Sequence, residues 1–313
     1  MSTATRYADF ATRYARYLSP EYERLALAVS RDRDLLALLD TLPPPKRQPN
    51  LLFGVVRFLG GPTDDPAAFR DYVLASWPAI EPEMRTRATQ TNEPGRCATL
   101  LPLLSALPQP LALLEVGASA GLCLYPDRYG YRYGDRTVGS GSPVLDCTVT
   151  GLEPPARAPE VVWRAGLDLN PLDITDPADL AWLDALIWPE HQHRRERLRA
   201  AAEVAKAEPP LLVRGDLVDD LPALAARAPK DATLVVFHTA VLYLVPEPRR
   251  KAFIELVTAL PGHWIANEDP GVISYGDLPD PPSGTMHMVL ALDGEPFAWT
   301  LPHGQSMTAI PRR

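Results

Sequence analysis

Apolar residues recur at helical spacing through the first hundred positions of the chain. An i, i+3, i+4, i+7, i+11 pattern predicts a first amphipathic helix, whose apolar positions are Tyr7, Phe10, Ala11, Tyr14 and Leu18. Ser19 and Pro20 are typical of the start of a second helix. Helices are therefore predicted over residues 20–39, over 50–59, from 65 onward and over 97–107. Together these elements predict a helical N-terminal cap over residues 1–105.

From residue 106 onward, apolar runs alternate with helical segments, which is typical of a mostly parallel sheet with helices on its faces. Strands are predicted over residues 111–116, 160–169, 211–214, 233–237 and 263–266. Helices are predicted over residues 181–207, with a break near Trp188, and over residues 248–260. A terminal hairpin is predicted from residues 286–292 and 296–301, which flank the turn Asp293-Gly294-Glu295. This gives an α/β domain over residues 106–313 with seven strands, interrupted by an insertion at about residues 123–160.

Charge and composition exclude several classes of protein. The chain has 313 residues and a formal net charge of −8, which argues against a protein that coats nucleic acid. Its three cysteines form no C-x-x-C pair, and neither a disulfide scaffold nor a metal site is expected. No apolar run is long enough to span a membrane, and the charged N-terminus is unlike a signal peptide. We therefore expect a soluble cytoplasmic protein, whose 35 prolines punctuate its elements.

The sequence Glu115-Val-Gly-Ala-Ser-Ala-Gly121 directly follows the first predicted strand. Small residues at the end of a strand let a ligand approach the backbone closely. A helix that opened there would also point N–H groups at an anion. An ordinary tight turn between a strand and a helix explains the same residues, so both interpretations stay open at this point.

Three other strands end in residues that can contact a ligand. Asp168 ends the second predicted strand, Asp216 follows the third, and His238 follows the fourth. The carboxyl ends of parallel strands meet at one edge of an open α/β sheet, and ligands bind at that edge. The spacing therefore predicts one ligand site built from four loops.

The segments EVGASAG, GLDLNP, RGDLVDDLP and VVFHTAVLYLVP, in this order and with the terminal hairpin, resemble class I S-adenosylmethionine-dependent methyltransferases. The whole chain, including LLFGVVRFLGG and TQTNEPGRCATLLP, resembles an uncharacterised bacterial family with a methyltransferase-like fold. The resemblance implies a Rossmann-like, seven-stranded, mostly parallel sheet. It also implies S-adenosylmethionine as the cofactor and methyl transfer to an unknown small molecule.

The resemblance also assigns cofactor contacts to positions of this sequence. The residues that correspond to the loop under the methionine half are Glu115, Gly117, Ala118, Ser119 and Gly121. The residues that correspond to the ribose, adenine and sulfonium contacts are Asp168 with Leu169, Asp216 with Leu217, and His238 with Thr239.

Two features depart from the methyltransferase pattern. Ser119 stands where the pattern has its middle glycine, and serine restricts φ. The spacing from Gly121 to Asp168 exceeds the usual distance of about 20 residues between the loop and the ribose acid. Asp135 follows Glu115 by 20 residues and is an alternative ribose acid. Asp168 is favoured because a long helix and the Gly215-Asp216 strand end follow it in the expected order.

The remaining candidates concern catalysis and the substrate. Methyl transfer depends chiefly on alignment, and a base is needed only for a nucleophile that carries a proton of high pKa. The candidate catalytic residues are His238, Tyr243 and Glu268, with Asp269 as a further polar contact. The candidate substrate residues are Asn92, Glu93, Arg96 and Tyr129. Helix capping by Asn92 and simple packing of Tyr129 explain two of these residues equally well.

Two other functions compete with methyl transfer. A protein that keeps the fold but only binds its ligand is the main alternative, because no base is evident and Ser119 replaces a glycine. A nicotinamide oxidoreductase is disfavoured because the loop lacks G-x-G-x-x-G.

Overall fold

A computed structural model describes residues 1–282 and 286–311 of the chain. The chain divides into two compact units by backbone proximity. One consists of Met1–Thr91 and Thr175–Glu196, and the other of Asn92–Ile174 and Arg197–Arg313. The functional division between residues 105 and 106 stays a prediction.

The α-helices are α1 (Thr3–Asp9), α2 (Pro20–Arg31), α3 (Arg33–Asp40), α4 (Pro49–Phe58), α5 (Pro66–Thr86), α6 (Cys97–Ala106), α7 (Pro177–Leu186), α8 (Gln192–Ala207), α9 (Leu221–Ala225) and α10 (Glu247–Ala259). A π-helical turn, Phe10–Ala15, directly follows α1. No helix within residues 1–282 and 286–311 is both long and apolar enough to cross a membrane.

Two long predicted helices are each divided in two. Residues 20–39 form α2 and α3, because Asp32 has extended backbone geometry and its carboxylate accepts the N–H groups of Asp34 and Leu35 at the start of α3. Residues 181–207 form α7, which begins earlier than expected, and α8, separated by the segment that contains Pro189. The cap at Asp32 divides a helix that was predicted to be continuous, whereas the break between α7 and α8 agrees with the one predicted near Trp188.

An aromatic cluster forms the centre of the first unit. Phe53 of α4 makes ring contacts with four aromatic side chains of its own unit, with ring centroids 4.8 to 6.2 Å apart. Its partners are Tyr7, Phe10, Tyr22 and Phe69. Edge-to-face pairs of this kind add to the stabilisation from simple burial.

The strands are β1 (Leu111–Val116), β2 (Gly130–Tyr133), β3 (Arg136–Val138), β4 (Val144–Asp146), β5 (Thr148–Thr150), β6 (Val161–Asp168), β7 (Leu211–Arg214), β8 (Thr233–Thr239), β9 (His263–Glu268), β10 (Met288–Leu292), β11 (Glu295–Thr300) and β12 (Ser306–Ala309). The main sheet has nine strands in the order β5-β12-β11-β10-β9-β8-β1-β6-β7. A second sheet has the order β3-β2-β4 and lies within the predicted insertion.

The main sheet is mixed, and it has nine strands rather than the predicted seven. Strands β6, β7, β8 and β9 run parallel to β1, whereas β10, β11 and β12 form an antiparallel series. The two unpredicted strands are β5 and β12, which pair in parallel at one edge. Both are short and lack an apolar run, so their pairing arises from tertiary contact.

The five parallel strands define where a ligand is expected to bind. Their spatial order, β7-β6-β1-β8-β9, corresponds to a chain order of 3-2-1-4-5. The chain therefore proceeds from β1 to β6 and β7 on one side of the sheet, and from β8 to β9 on the other side. A crevice forms at such a switch point, outside the carboxyl ends of the two strands. Helices α9 and α10 pack on this part of the sheet, around Leu224, Phe253 and Val257.

Candidate functional site

The carboxyl ends of β1 and β8 form the switch point. Glu115 on β1 pairs with Phe237 on β8 as the last pair of this ladder, and Gly117 and Thr239 each lie two residues further along their chains. Two loops begin here, the glycine loop (residues 117–121) and the β8 loop (residues 240–244). They touch, because a Cβ at Gly117 would lie 2.5 Å from Cγ2 of Val241.

The glycine loop is held in a left-handed conformation. Gly117 has φ +70° and Gly121 has φ +72°, which glycine adopts at little cost. Ser119 also has a positive φ of 52°, a backbone conformation that favours glycine. Its N–H donates to Oδ2 of Asp168 at 2.8 Å, which connects the loop to the neighbouring strand β6.

The helix expected directly after the glycine loop is not formed. Leu122–Leu124 make a single 3₁₀ turn, and the chain continues into the second sheet. A turn of three residues lacks the aligned peptide dipoles of a helix N-terminus. The expected helix N-terminal anion site is therefore wrong for this chain, and an anion would need another partner.

Asp168 joins the loops at the ends of β1 and β6. Its Oδ2 accepts from Ser119, and its Oδ1 accepts the N–H of Asn170 at 2.7 Å. The neighbouring Leu169 side chain is exposed, and its carbonyl accepts from Arg214. The alternative acid, Asp135, is exposed in the turn between β2 and β3 of the second sheet. Asp168 is thus the acid that contacts the glycine loop.

Asn92 supports the same loop from outside. Its Oδ1 accepts the N–H of Leu122 at 2.9 Å, and its Nδ2 donates to the carbonyl of Ala118 at 3.2 Å. These bonds use both ends of the amide group. Its position fits a residue that fixes the loop backbone.

Glu93 and Arg96 differ in how their charges are matched. The buried Glu93 carboxylate accepts from Arg197 at 2.8 Å and from the N–H of Gly95 at 3.0 Å. Arg96 donates from Nη1 to the carbonyl and the hydroxyl oxygen of Thr239, and from Nε to the carbonyl of Pro302. Arg96 therefore reaches the end of β8, and its bonds there are to neutral oxygens.

His238 and Glu268 form a fully buried pair on the side of the sheet that faces α10. Trp264 donates its indole N–H to Nε2 of His238 at 3.0 Å, so Nε2 is unprotonated and Nδ1 carries the proton. Nδ1 then donates to Oε1 of Glu268 at 2.7 Å. The same oxygen accepts the N–H groups of Val241 and Leu242. The pair thus fixes the β8 loop, and both ring nitrogens of His238 are engaged.

Two buried acids keep one oxygen without a hydrogen-bond partner among the described residues. These oxygens are Oε2 of Glu115 and Oε2 of Glu268. Burial and the nearby Cys123 thiol raise the pKa of Glu115 well above its ordinary value, although Arg96 opposes the shift. An acceptor without a partner in the protein is suited to a ligand that donates hydrogen bonds.

Asp216, the predicted adenine contact, is already in an ion pair. Its Oδ1 accepts from Arg249 and from the N–H of Val218. Partial burial raises the pKa of Asp216, but these hydrogen bonds outweigh it and lower the pKa overall. Leu217 beside it is partly buried and packs against the core under the sheet.

The two candidate tyrosines have different environments. Tyr243 lies in the 3₁₀ turn of the β8 loop and is 57% exposed. Tyr129 is fully buried, donates to the carbonyl of Leu122 at 2.7 Å, and contacts the ring of Tyr125. Tyr243 can reach a ligand at the edge of the sheet, whereas Tyr129 packs the insertion.

The chain can also be compared with known proteins. The family described as "Uncharacterized protein conserved in bacteria (DUF2332)" matches residues 4–308. The chain belongs to the DUF2332 family. No curated protein and no solved structure gives a significant match. The DUF2332 match includes both loops of the switch point, Asp168 and the His238–Glu268 pair.

Sequence reasoning missed several residues of this DUF2332 site. Val241 packs on Gly117, Trp264 donates to His238, and Thr300 donates to Asn267 at 2.8 Å. Their spacing along the chain gives no sign of these contacts. Only the position of Trp264, four residues before the end of β9, could have been inferred from the alternation of that strand. Among the described residues, no group of three His, Cys, Asp or Glu side chains could hold a metal ion.

Proposed function

We propose that this protein is an S-adenosylmethionine-dependent methyltransferase that acts on a small molecule. The observation that carries the proposal is the contact between Ser119 and Asp168 at the ends of adjacent parallel strands. It joins a left-handed glycine-type loop to the acid expected to bind a ribose, beside the switch point of a 3-2-1-4-5 strand order.

Asp168 has acceptor capacity left for a ribose. An ionised carboxylate offers about four lone-pair positions. Bonds from Ser119 and Asn170 use one position on each oxygen, so each oxygen can accept one further hydrogen bond. The two neighbouring hydroxyl groups of a ribose can each donate one hydrogen bond to such a carboxylate.

The buried acids fit the other half of the cofactor. S-adenosylmethionine carries an ammonium group and a sulfonium, and when bound it supplies an activated methyl group. Glu115 and Glu268 each present a buried oxygen without a partner among the described residues, near the loops of the switch point. Burial raises the pKa of Glu115 and favours its neutral form, so Glu115 can accept a hydrogen bond from the ammonium group without neutralising its charge.

Binding of nucleosides tests the proposal directly. Titration calorimetry with S-adenosylmethionine, S-adenosylhomocysteine and NAD⁺ should show binding of the two sulfur compounds only. Asp168→Ala should weaken that binding at least tenfold. Asp135→Ala is the matched control, because it makes the same change at the exposed alternative acid, and it should leave the affinity unchanged.

Either of two results would contradict the proposal. One is that neither sulfur compound binds to a folded wild-type chain. The other is that Asp168→Ala and Asp135→Ala have the same affinity, which would reject Asp168 as the ribose acid. Thermal melts of both variants separate a lost contact from a lost fold.

One observation favours a second candidate, a protein that binds the ligand without catalysis. Both nitrogens of His238 are hydrogen-bonded, so the histidine offers no free base. Under this alternative the sulfur compounds bind, but no S-adenosylhomocysteine forms in the presence of a pool of bacterial metabolites. Formation of S-adenosylhomocysteine that depends on the pool would reject it.

A further inference from the structure

Arg96 is a buried cation without an acidic partner among the described residues. Its residue is only 6% exposed, yet no carboxylate of the described residues lies within ion-pair distance of it. Its three hydrogen bonds go to two carbonyls and one hydroxyl, of Thr239 and Pro302. Arginine remains protonated in proteins, so this site keeps a full positive charge that neutral oxygens solvate but do not neutralise.

Arg164, in the same unit, is a buried guanidinium that is paired with a carboxylate. Arg164 is similarly enclosed and binds Asp127 through two hydrogen bonds of 2.8 and 2.7 Å. Breaking such a pair is costly because it leaves one buried charge uncompensated. Arg96 is in that uncompensated state at the carboxyl edge of the sheet.

Glu115 is a buried acid whose pKa is influenced by Arg96, but it does not neutralise the charge of Arg96. Burial raises the pKa of Glu115 well above its ordinary value, which favours the neutral acid. Glu93, three residues before Arg96, is paired with Arg197. The positive charge of Arg96 is therefore available to a ligand.

The position of Arg96 matches the place where an anion is expected. Its Nη1 binds Thr239, the last residue of β8, at the switch point. The helix that would offer N–H groups to an anion after the glycine loop is replaced by a 3₁₀ turn. Nη2 makes none of the three hydrogen bonds and is not among the buried atoms without a partner. It retains two N–H donors that can reach a ligand.

We propose that Arg96 anchors the carboxylate of a ligand at the switch point, taking the role that a helix N-terminus would otherwise have. Two ligands carry such a carboxylate: the adenosyl cofactor, at its amino-acid end, and an acidic substrate. The first source rests on the proposed function, whereas the second does not require it. A guanidinium binds a carboxylate through directed N–H donors, which gives orientation as well as attraction.

The first experiment compares two ligands that differ at the amino-acid end. S-adenosylhomocysteine carries the carboxylate, and 5′-methylthioadenosine has the same adenosine and thioether without it. Calorimetry is performed on the wild type, Arg96→Met, Arg96→Lys and Arg132→Met. Arg132 is an exposed arginine of the second sheet, so its variant is the matched control.

The second experiment uses simple carboxylates as probes. Thermal stability is measured in acetate and malonate against chloride at equal ionic strength, for the same four proteins. Wild type and Arg132→Met should be stabilised by the carboxylates, and Arg96→Met should not. Arg96→Lys keeps the charge without the fork and should respond partly, which preserves the test if Arg96→Met folds poorly.

The outcomes separate the two sources. If Arg96→Met lowers the preference for S-adenosylhomocysteine over 5′-methylthioadenosine at least tenfold, Arg96 holds the cofactor. If the preference is unchanged and the response to carboxylates is lost, Arg96 holds an acidic substrate. If both stay at wild-type level in both Arg96 variants, the inference is overturned. If wild type binds neither nucleoside, the proposed function fails, and the carboxylate response alone decides the role of Arg96.

Discussion

The contact between Gly117 and Val241 gives a sharp test of the loop geometry. Replacing Gly117 with Ala places a Cβ at φ +70°, which costs about 1–2 kcal/mol for an L-residue. The new methyl group would also lie 2.5 and 2.8 Å from the two Cγ atoms of Val241, and overpacking of this kind costs about 1–3 kcal/mol. We therefore expect Gly117→Ala to lower the free energy of unfolding by about 2–5 kcal/mol.

Gly134 provides the matched control for this substitution. It lies in the turn between β2 and β3 with φ +61°, and a Cβ there would meet nothing within 4 Å. Gly134→Ala should therefore cost about 1–2 kcal/mol, from the backbone alone. The reduced entropy of the unfolded chain affects both variants equally and cancels in the comparison.

Urea denaturation followed by circular dichroism measures the two free energies. The difference between the variants isolates the overpacking cost, which Val241→Ala in the Gly117→Ala background should relieve. If Gly117→Ala is no more destabilised than Gly134→Ala, the two loops do not pack against each other. The reasoning on the switch point would then be refuted, because it places both loops in contact.

Three further outcomes follow from the charged groups. Arg164→Met leaves Asp127 with only the half-exposed Arg128, 3.3 Å away, and should cost up to about 3–5 kcal/mol in urea denaturation. The pKa of Glu115 is raised by burial, so its contribution to the free energy of unfolding is present below about pH 4 and is lost as pH rises through the folded-state pKa. The Tm of Glu115→Gln, measured from pH 5 to 8, should therefore fall less with rising pH than the Tm of the wild type. The pKa of Asp216 is lowered overall, so its contribution to the free energy of unfolding is present above about pH 4 and is lost in more acidic solution. The Tm of Asp216→Asn should therefore fall less on acidification than the Tm of the wild type.

The α/β architecture follows from patterns that the sequence displays openly. Residues 111–116 and 211–214 were predicted as strands, and they coincide with β1 and β7. Both are apolar runs bounded by proline or glycine, and such runs depend little on the rest of the chain. The sequence was also predicted to belong to an uncharacterised bacterial family, and the match over residues 4–308 confirms that prediction.

The edge of the main sheet could not be inferred in the same way. Strands β5 and β12 have three and four residues, and each contains threonine or serine where an apolar residue would have indicated a strand. Their hydrogen bonds come from pairing between positions that are far apart in the chain, such as Ser306 and Thr148. Local propensity carries no information about such a pair.

The candidate residues were found by sequence, but their roles depend on distant partners. Asn92 was predicted to contact the substrate, and its amide binds Ala118 in the glycine loop and Leu122 directly after it, 26 and 30 positions away. Arg96 was grouped with Asn92 and Glu93, and its partner Thr239 is 143 positions away. Spacing within one segment shows that polar groups are available, and only the fold decides which of them are already satisfied.

The positive φ of Ser119 illustrates how the site is organised. Ser119 and Ala240 are non-glycine residues with φ of 52° and 56°, and they stand at the ends of the paired strands β1 and β8. Such residues persist only where their surroundings fix them. Here the fixing bonds are from the N–H of Ser119 to Asp168 and from the N–H of Ala240 to the carbonyl of Asn267. Both loops are thus set by neighbouring strands without a ligand, and a ligand that binds there pays little for ordering them. Ser119 therefore adopts a conformation that favours glycine, and its bond to Asp168 holds the glycine loop in that conformation.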